Sequence, residues 1–108
     1  FVGTWNLSGR DPPSKLDYFI PIGQYDLYMI GSQECGASIE TSVVMNFTGS
    51  WEKALVAKFE AKQYQRIEST YLTAMHAIVF VRNEFAIHLS HVEKSYVPTG
   101  FGNVIGNK

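Results

Sequence analysis

"DLYMIGSQE", residues 26–34, opens on a charge, runs through Leu27, Tyr28, Met29 and Ile30 without a polar break, and ends on Ser32, Gln33 and Glu34. Four apolar residues in a row, with no alternation, predict a strand that has both faces inside the fold. An ionised carboxylate is seldom placed where such a strand leaves the core unless something pairs with it. Glu34 is therefore a candidate functional group before anything else about the chain is considered.

Working outward, "FVGTWN" (1–6) reads as a first strand and "DPPSKLDYFIPIGQY" (11–25) as a punctuated connection with at most a short helix over 14–19. Residues 35–49 have no clear period and are expected to form a loop. In "SWEKALVAKFEAK" (50–62), Ser50 is a candidate N-cap, Trp51, Ala54, Leu55 and Phe59 share one face, and Lys53, Lys58 and Lys62 stay outside, which predicts an amphipathic helix. "YQRIESTYLTA" (64–74) and "MHAIVFV" (75–81) predict two further strands, "RNE" (82–84) a turn, and the alternation in "FAIHLSHV" (85–92) another strand. Strands flanking a helix predict an α/β layered fold with a mixed sheet. Strands 26–32 and 75–81 call for cover on two sides, and one helix is too little, so the chain is expected to be part of a larger sandwich.

The chain has 108 residues, 45% of them hydrophobic and 18% charged, which fits one small domain and neither a disordered tail nor a membrane span. A formal net charge of −1 leaves no global footprint for nucleic acid. The single Cys35 cannot form an internal disulfide, which fits a reducing compartment, and it reads as a small buried residue. The triplets "NLS" (6–8) and "NFT" (46–48) match glycosylation sequons but arise often by chance.

Ligands of open α/β sheets gather outside the carboxyl ends of the strands. If strands 1–6 and 26–32 are parallel neighbours, Asn6 and Glu34 meet at one rim. A carboxylate with an amide oxygen is hard-ligand chemistry, suited to Mg²⁺ and unsuited to zinc. Spacing alone favours the plainer reading of Glu34, a strand-end carboxylate that caps amides or faces solvent. The tail "TGFGNVIGNK" (99–108) holds three glycines followed by Asn107 and Lys108; a phosphate-cradling loop and a generic Gly-rich turn are equally compatible with it. It is no Walker A loop, because Asn107 separates Gly106 from Lys108. His88 and His91 are predicted to face opposite sides of a strand, His76 to be a hydrogen-bonded core residue, and Trp5 and Trp51 to be core.

"FVGTWN", "DLYMIGSQE", the helix led by Trp51, "AIVFVRNEFAIHLSHVEKSYVPTG" and the terminal "GNK" together resemble the start of an inositol polyphosphate 5-phosphatase catalytic domain, of the endonuclease/exonuclease/phosphatase superfamily. "FVGTWN" with "LSHVEKSYVPTG" is most similar to the Src-homology-domain-containing 5-phosphatases. The resemblance implies the N-terminal part of a layered α/β sandwich, incomplete over 1–108, with Glu34 as a Mg²⁺ ligand and Asn6 positioning the metal or the scissile phosphate. It places Gly106, Asn107 and Lys108 near the inositol ring. It implies a phosphoinositide or inositol polyphosphate as substrate, no nucleic acid, and a cytoplasmic protein working at the inner membrane surface. The family's later motifs, a His after the next strand, a Gly-Asp-x-Asn segment and a Ser-Asp-His, have no counterpart in these 108 residues. Two rival readings share the motifs: a superfamily nuclease, and a truncated, non-catalytic phosphoinositide-binding or interaction module.

Overall fold

The computed structural model of the chain describes residues 1–35, 49–72, 74–95 and 97. Four strands form one mixed sheet: β1 (Val2–Asn6), β2 (Leu27–Gln33), β3 (Tyr64–Leu72) and β4 (Met75–Arg82), in the order β1-β2-β4-β3. β1 runs parallel to β2, whereas β4 is antiparallel to both β2 and β3. Among the described residues one α-helix, α1 (Gly49–Glu60), precedes β3, and short 3-10 turns occupy Leu16–Tyr18 and Asn83–His88. The described structure is the α/β mixed sheet expected of the sequence.

Side chains directly opposite in neighbouring strands share a face of the sheet, so the register defines what α1 covers. Ile30 pairs with Ile78, Tyr28 with Phe80 and Ser32 with His76, and all six are buried. Trp51, Leu55 and Phe59, spaced by four, lie along the apolar stripe of α1 and close over this face. Phe59 stacks on Phe80 with ring centroids 4.0 Å apart, and Tyr28 and Tyr64 meet Phe59 edge-on. The buried Tyr28 hydroxyl accepts from the backbone N–H groups of Gly23, Gln24 and Tyr25 and donates to the Pro21 carbonyl at 2.7 Å. One phenol therefore shapes the turn that leads into β2, and Tyr64 secures the same turn by donating to the Tyr25 carbonyl at 2.6 Å.

The opposite face corrects the expectation that β2 is buried on both sides. Leu27 and Met29 are each 44% exposed, and Val2, paired with Met29, is 76% exposed. The apolar run is real, but this side stays open at β1 and β2, so burial alternates with the pleat along β2, whereas Val81 of β4, opposite Leu27, is buried. Two further expectations change. Residues 85–92 are not a strand: Asn83–His88 is a 3-10 turn, residues 89–95 pair with no strand, and His88 and His91 are exposed. β4 is already bonded on both sides, by β2 and β3, so an alternating segment directly after it finds no edge beside it. Ser50 lies within the first turn of α1 rather than capping it, and the helix ends at Glu60 in a turn that carries Gln63 at φ +65°. Residues 36–48, most of the expected loop, and the Gly-rich tail 98–108 lie outside the described residues.

Replacing Tyr28 by Phe keeps the ring in the core but removes an acceptor from three backbone N–H groups of the 23–25 turn, of which Gln24 keeps a second, the Pro21 carbonyl at 3.3 Å. The expected outcome is a loss of about 1–3 kcal/mol in urea-induced unfolding with an unchanged m value.

Candidate active site

The parallel pairing of β1 and β2 decides what stands at their common carboxyl rim. Asn6 is opposite Gln33, and Glu34 is the next residue. The backbone beyond the ladder continues the pairing: the Leu7 N–H bonds the Gln33 carbonyl at 2.8 Å and the Gly9 N–H bonds the Glu34 carbonyl at 2.9 Å. Asn6 Oδ1 accepts the Ser8 N–H at 2.8 Å, an Asx turn that fixes the amide's orientation. Gln33 Nε2 donates to Thr4 Oγ1 at 2.8 Å, tying the end of β2 to β1 by a side-chain link as well. Both chains then leave the sheet through left-handed residues, Ser8 at φ +52° and Glu34 at φ +53°. A non-glycine residue in that region costs on the order of 1–2 kcal/mol and persists only when its surroundings hold it. For Glu34 they do, because the carbonyl is bonded to Gly9 and the adjoining Cys35 N–H donates to the Ala74 carbonyl at 3.0 Å.

The sequence thus brings its two principal candidates, Asn6 and Glu34, to one rim. Their donor atoms are hard oxygens. Asn6 Oδ1 retains a second lone pair beside its bond to Ser8, and Glu34 is half-buried. Among the described residues no three His, Cys, Asp or Glu side chains converge as a metal cage. This donor set fits a hard divalent cation that keeps most of its coordination for water and substrate oxygens, and it does not fit zinc. The other three candidates, Gly106, Asn107 and Lys108, lie outside the described residues.

Sequence reasoning missed a polar cluster behind the rim, buried at Ser32, Glu52 and His76 and partly exposed at Tyr71 and Arg66. Register places Trp5, Ser32, His76 and Tyr71 in one row across all four strands, on the face that α1 covers. Trp51 Nε1 donates to Ser32 Oγ at 2.6 Å, and its ring meets Trp5 edge-on. Glu52, the next residue, accepts from Tyr71 OH and Arg66 Nη1, from His76 Nε2 at 3.0 Å and from Ser69 Oγ at 3.4 Å. Burial pushes the Glu52 carboxyl up, but the hydrogen bonds from Tyr71, His76 and Arg66 outweigh it and hold the group below 4.5. Burial dominates at His76 and depresses it below 6.5, against the opposing pull of Glu52. Because Nε2 donates to the carboxylate, the neutral ring leaves a lone pair on Nδ1, which has no hydrogen-bond partner among the described residues. His76 is the core histidine expected. Glu52 carries a weak sequence signal, one step off the apolar stripe, yet its partners are readable only once β3 and β4 are in register.

The model of the Endonuclease/Exonuclease/phosphatase family 2 matches residues 3–108. The chain belongs to that family. Among curated relatives, a phosphatidylinositol 3,4,5-trisphosphate 5-phosphatase 2B of Danio rerio is 27% identical over the whole chain, and a phosphatidylinositol 4,5-bisphosphate 5-phosphatase of Saccharomyces cerevisiae is 30% identical over the whole chain. The chain spans only 9% and 13% of their respective lengths. The inositol polyphosphate 5-phosphatase domain of SPsynaptojanin, solved with inositol (1,4)-bisphosphate and calcium ion, superposes with TM-score 0.73 at 22% identity, covering 94% of this chain and 32% of that one. Cimex nitrophorin, solved as a ferrous NO complex, shares the fold at TM-score 0.59 and 18% identity over 82% of this chain and 31% of that one. The family is therefore established by the sequence match, while the fold alone does not single out phosphatase chemistry.

The buried pair has a definite pH signature. In the unfolded chain His76 takes up a proton near 6.5, whereas in the folded protein it does so only at lower pH, so stability declines as pH falls below about 6.5. Glu52 contributes stability above 4.5 that is lost as pH falls through its lower folded value. Urea midpoints measured from pH 7 downward are expected to fall in two stages, and His76→Gln is expected to remove the upper stage alone.

Proposed function

We propose that residues 1–108 form the N-terminal part of a domain that hydrolyses the 5-phosphate of phosphoinositides or inositol polyphosphates with the help of Mg²⁺. One observation carries the reading: the parallel register that sets Asn6 and Glu34 on a common rim, in a chain whose family includes phosphatases. The names of the relatives, 5-phosphatases of phosphatidylinositol bis- and trisphosphates, support the substrate class.

In this reading Glu34 is the anionic anchor for the cation, and the Asn6 amide, braced by Ser8, orients the scissile phosphate beside it. Mg²⁺ held by Glu34 and Asn6 would supply charge neutralisation for the phosphate oxygens. Gly106, Asn107 and Lys108 are proposed to hold a further phosphate on the inositol ring, Lys108 by its charge and Gly106 by leaving the backbone open to close approach. The group that would activate water belongs to the family motifs absent from these 108 residues. The remainder of the domain is proposed to cover the open face of the sheet at Val2, Leu27 and Met29, consistent with the 32% share of the solved phosphatase domain that this chain matches. Among the described residues no helix is long and apolar enough to cross a membrane; a cytoplasmic protein that meets its lipid substrate at the inner membrane surface is proposed from the substrate class.

Two measurements test this. Purified residues 1–108 are expected to release no phosphate from a soluble inositol polyphosphate, and turnover abolished by Glu34→Ala would refute that. In the complete domain Glu34→Ala is expected to lower kcat/KM about a thousandfold, equivalent to roughly 4 kcal/mol of transition-state stabilisation, with an unchanged urea midpoint. Wild-type turnover by that variant would remove Glu34 from the site, and hydrolysis of abasic-site DNA instead of phosphoinositide would make the protein a nuclease.

A further inference from the structure

The turn that closes the rim carries an arginine whose side chain the described fold leaves unused. After Asn6 the chain reverses over Leu7–Arg10. The Arg10 N–H donates to the Leu7 carbonyl at 3.0 Å, and the intervening Ser8 and Gly9 both have left-handed φ, +52° and +69°. Two such residues in succession make a tight reversal and fix where the residue after them starts. The turn is itself tied down: Leu7 is buried, its N–H bonds the Gln33 carbonyl at 2.8 Å, and the Gly9 N–H bonds the Glu34 carbonyl at 2.9 Å. Arg10 therefore leaves the backbone one residue beyond the bond that joins this turn to Glu34, and it is exposed. Arg66 pairs with Glu52 and Arg82 with Asp26, whereas Arg10 makes no ion pair among the described residues, even with the adjoining Asp11.

We infer that Arg10 is a further substrate-binding residue, whose guanidinium holds a phosphate of the inositol ring other than the one being hydrolysed. This rests on the reading of the Asn6–Glu34 rim as the place of the scissile phosphate. A phosphate held between those two residues has its charge met by the cation. Arg10 stands outside the pair, on a turn bonded to the Glu34 backbone, where another phosphate on the same ring comes within reach of a long side chain. The planar guanidinium matches phosphate oxygens with two parallel N–H donors, which a lysine cannot reproduce. Neither the turn nor the core depends on that group, because Arg10 enters the turn through its backbone N–H alone. Substituting the side chain therefore leaves Ser8, Gly9 and the bond to Glu34 in place.

The test uses the full-length protein that carries this chain. Its substrates are soluble inositol bis- and trisphosphates that share the 5-phosphate and differ in the others, and one phosphoinositide in neutral phosphatidylcholine vesicles. Arg10→Gln is expected to raise KM about tenfold for the substrates that carry the recognised phosphate. It is expected to leave kcat, the urea midpoint and the KM of substrates lacking that phosphate at wild-type values, the pattern of a lost ground-state contact. Arg10→Lys keeps the charge without the paired donors and is expected to recover part of the loss. Added salt is expected to narrow the gap between wild type and Arg10→Gln, because an exposed pair is screened. An equal loss on every substrate would place Arg10 on the scissile phosphate, and a loss confined to vesicles would place it on bilayer phosphates. Either result, or no loss on any substrate, overturns the inference. Glu34→Ala separates the two claims: if it turns over normally, the reading of the rim has failed. If it is inactive while Arg10→Gln keeps wild-type KM throughout, only the role of Arg10 falls.

Discussion

Two consecutive residues in the first turn of α1 reach the whole width of the sheet. Trp51 engages Ser32 of β2 and Trp5 of β1, and Glu52 engages His76 of β4 and Tyr71 of β3. A helix lying on a sheet usually gains its hold from apolar contact, which tolerates sliding because it has no direction. Directed contacts from one turn to all four strands remove that freedom, since each hydrogen bond has a preferred length and angle, and those to Ser32 and His76 are buried. The apolar stripe of Leu55 and Phe59 then supplies adhesion, while the Trp51–Glu52 pair supplies register.

That division matters because, among the described residues, β1 and β2 are covered on one side only. The covered face has a dense aromatic centre in Tyr28, Phe59, Tyr64 and Phe80, whereas the other presents Val2, Leu27 and Met29 to solvent. The row Trp5–Ser32–His76–Tyr71 is one step inside the rim that carries Asn6 and Glu34, so its bonds to α1 restrain the part of the sheet where small displacements would matter most for chemistry. Charge balance is handled locally as well: Glu52 is kept ionised by donors, and His76 is kept neutral by burial, so neither leaves an unpaired charge in the core.

Much of this was legible in the residues, and the misses have physical causes. β1, β2, β3 and β4 announce themselves by β-branched and aromatic runs between turn residues, and the helix by its stripe at Trp51, Leu55 and Phe59. The common rim of Asn6 and Glu34 came from assuming one parallel pair. Residues 85–92 misled because alternation signals a pleat but not the existence of a free edge beside it, and β4 has none. Leu27 and Met29 misled in the opposite sense: their apolarity reports a face fit to be covered, which is not the same as a face that these residues cover. The Glu52 cluster was invisible because it joins positions 52, 66, 71 and 76, whose proximity exists only after β3 and β4 pair.

The comparison with Cimex nitrophorin sharpens what the fold can and cannot mean. The same sheet serves a protein whose solved complex holds ferrous NO, so layers and strand order place no chemistry by themselves. What differs between such proteins must lie in the side chains at the strand ends and in what holds them there. In this chain the rim has an amide fixed by an Asx turn and a carboxylate on a left-handed residue gripped from both sides. Left-handed geometry at a glutamate is unfavourable on its own and adds nothing to packing, so the bonds that enforce it stabilise a specific placement of the carboxylate at some cost to the backbone. Ser8 beside it leaves the sheet in the same way, so the two strand ends are held together at the rim by backbone bonds that fix where each side chain starts.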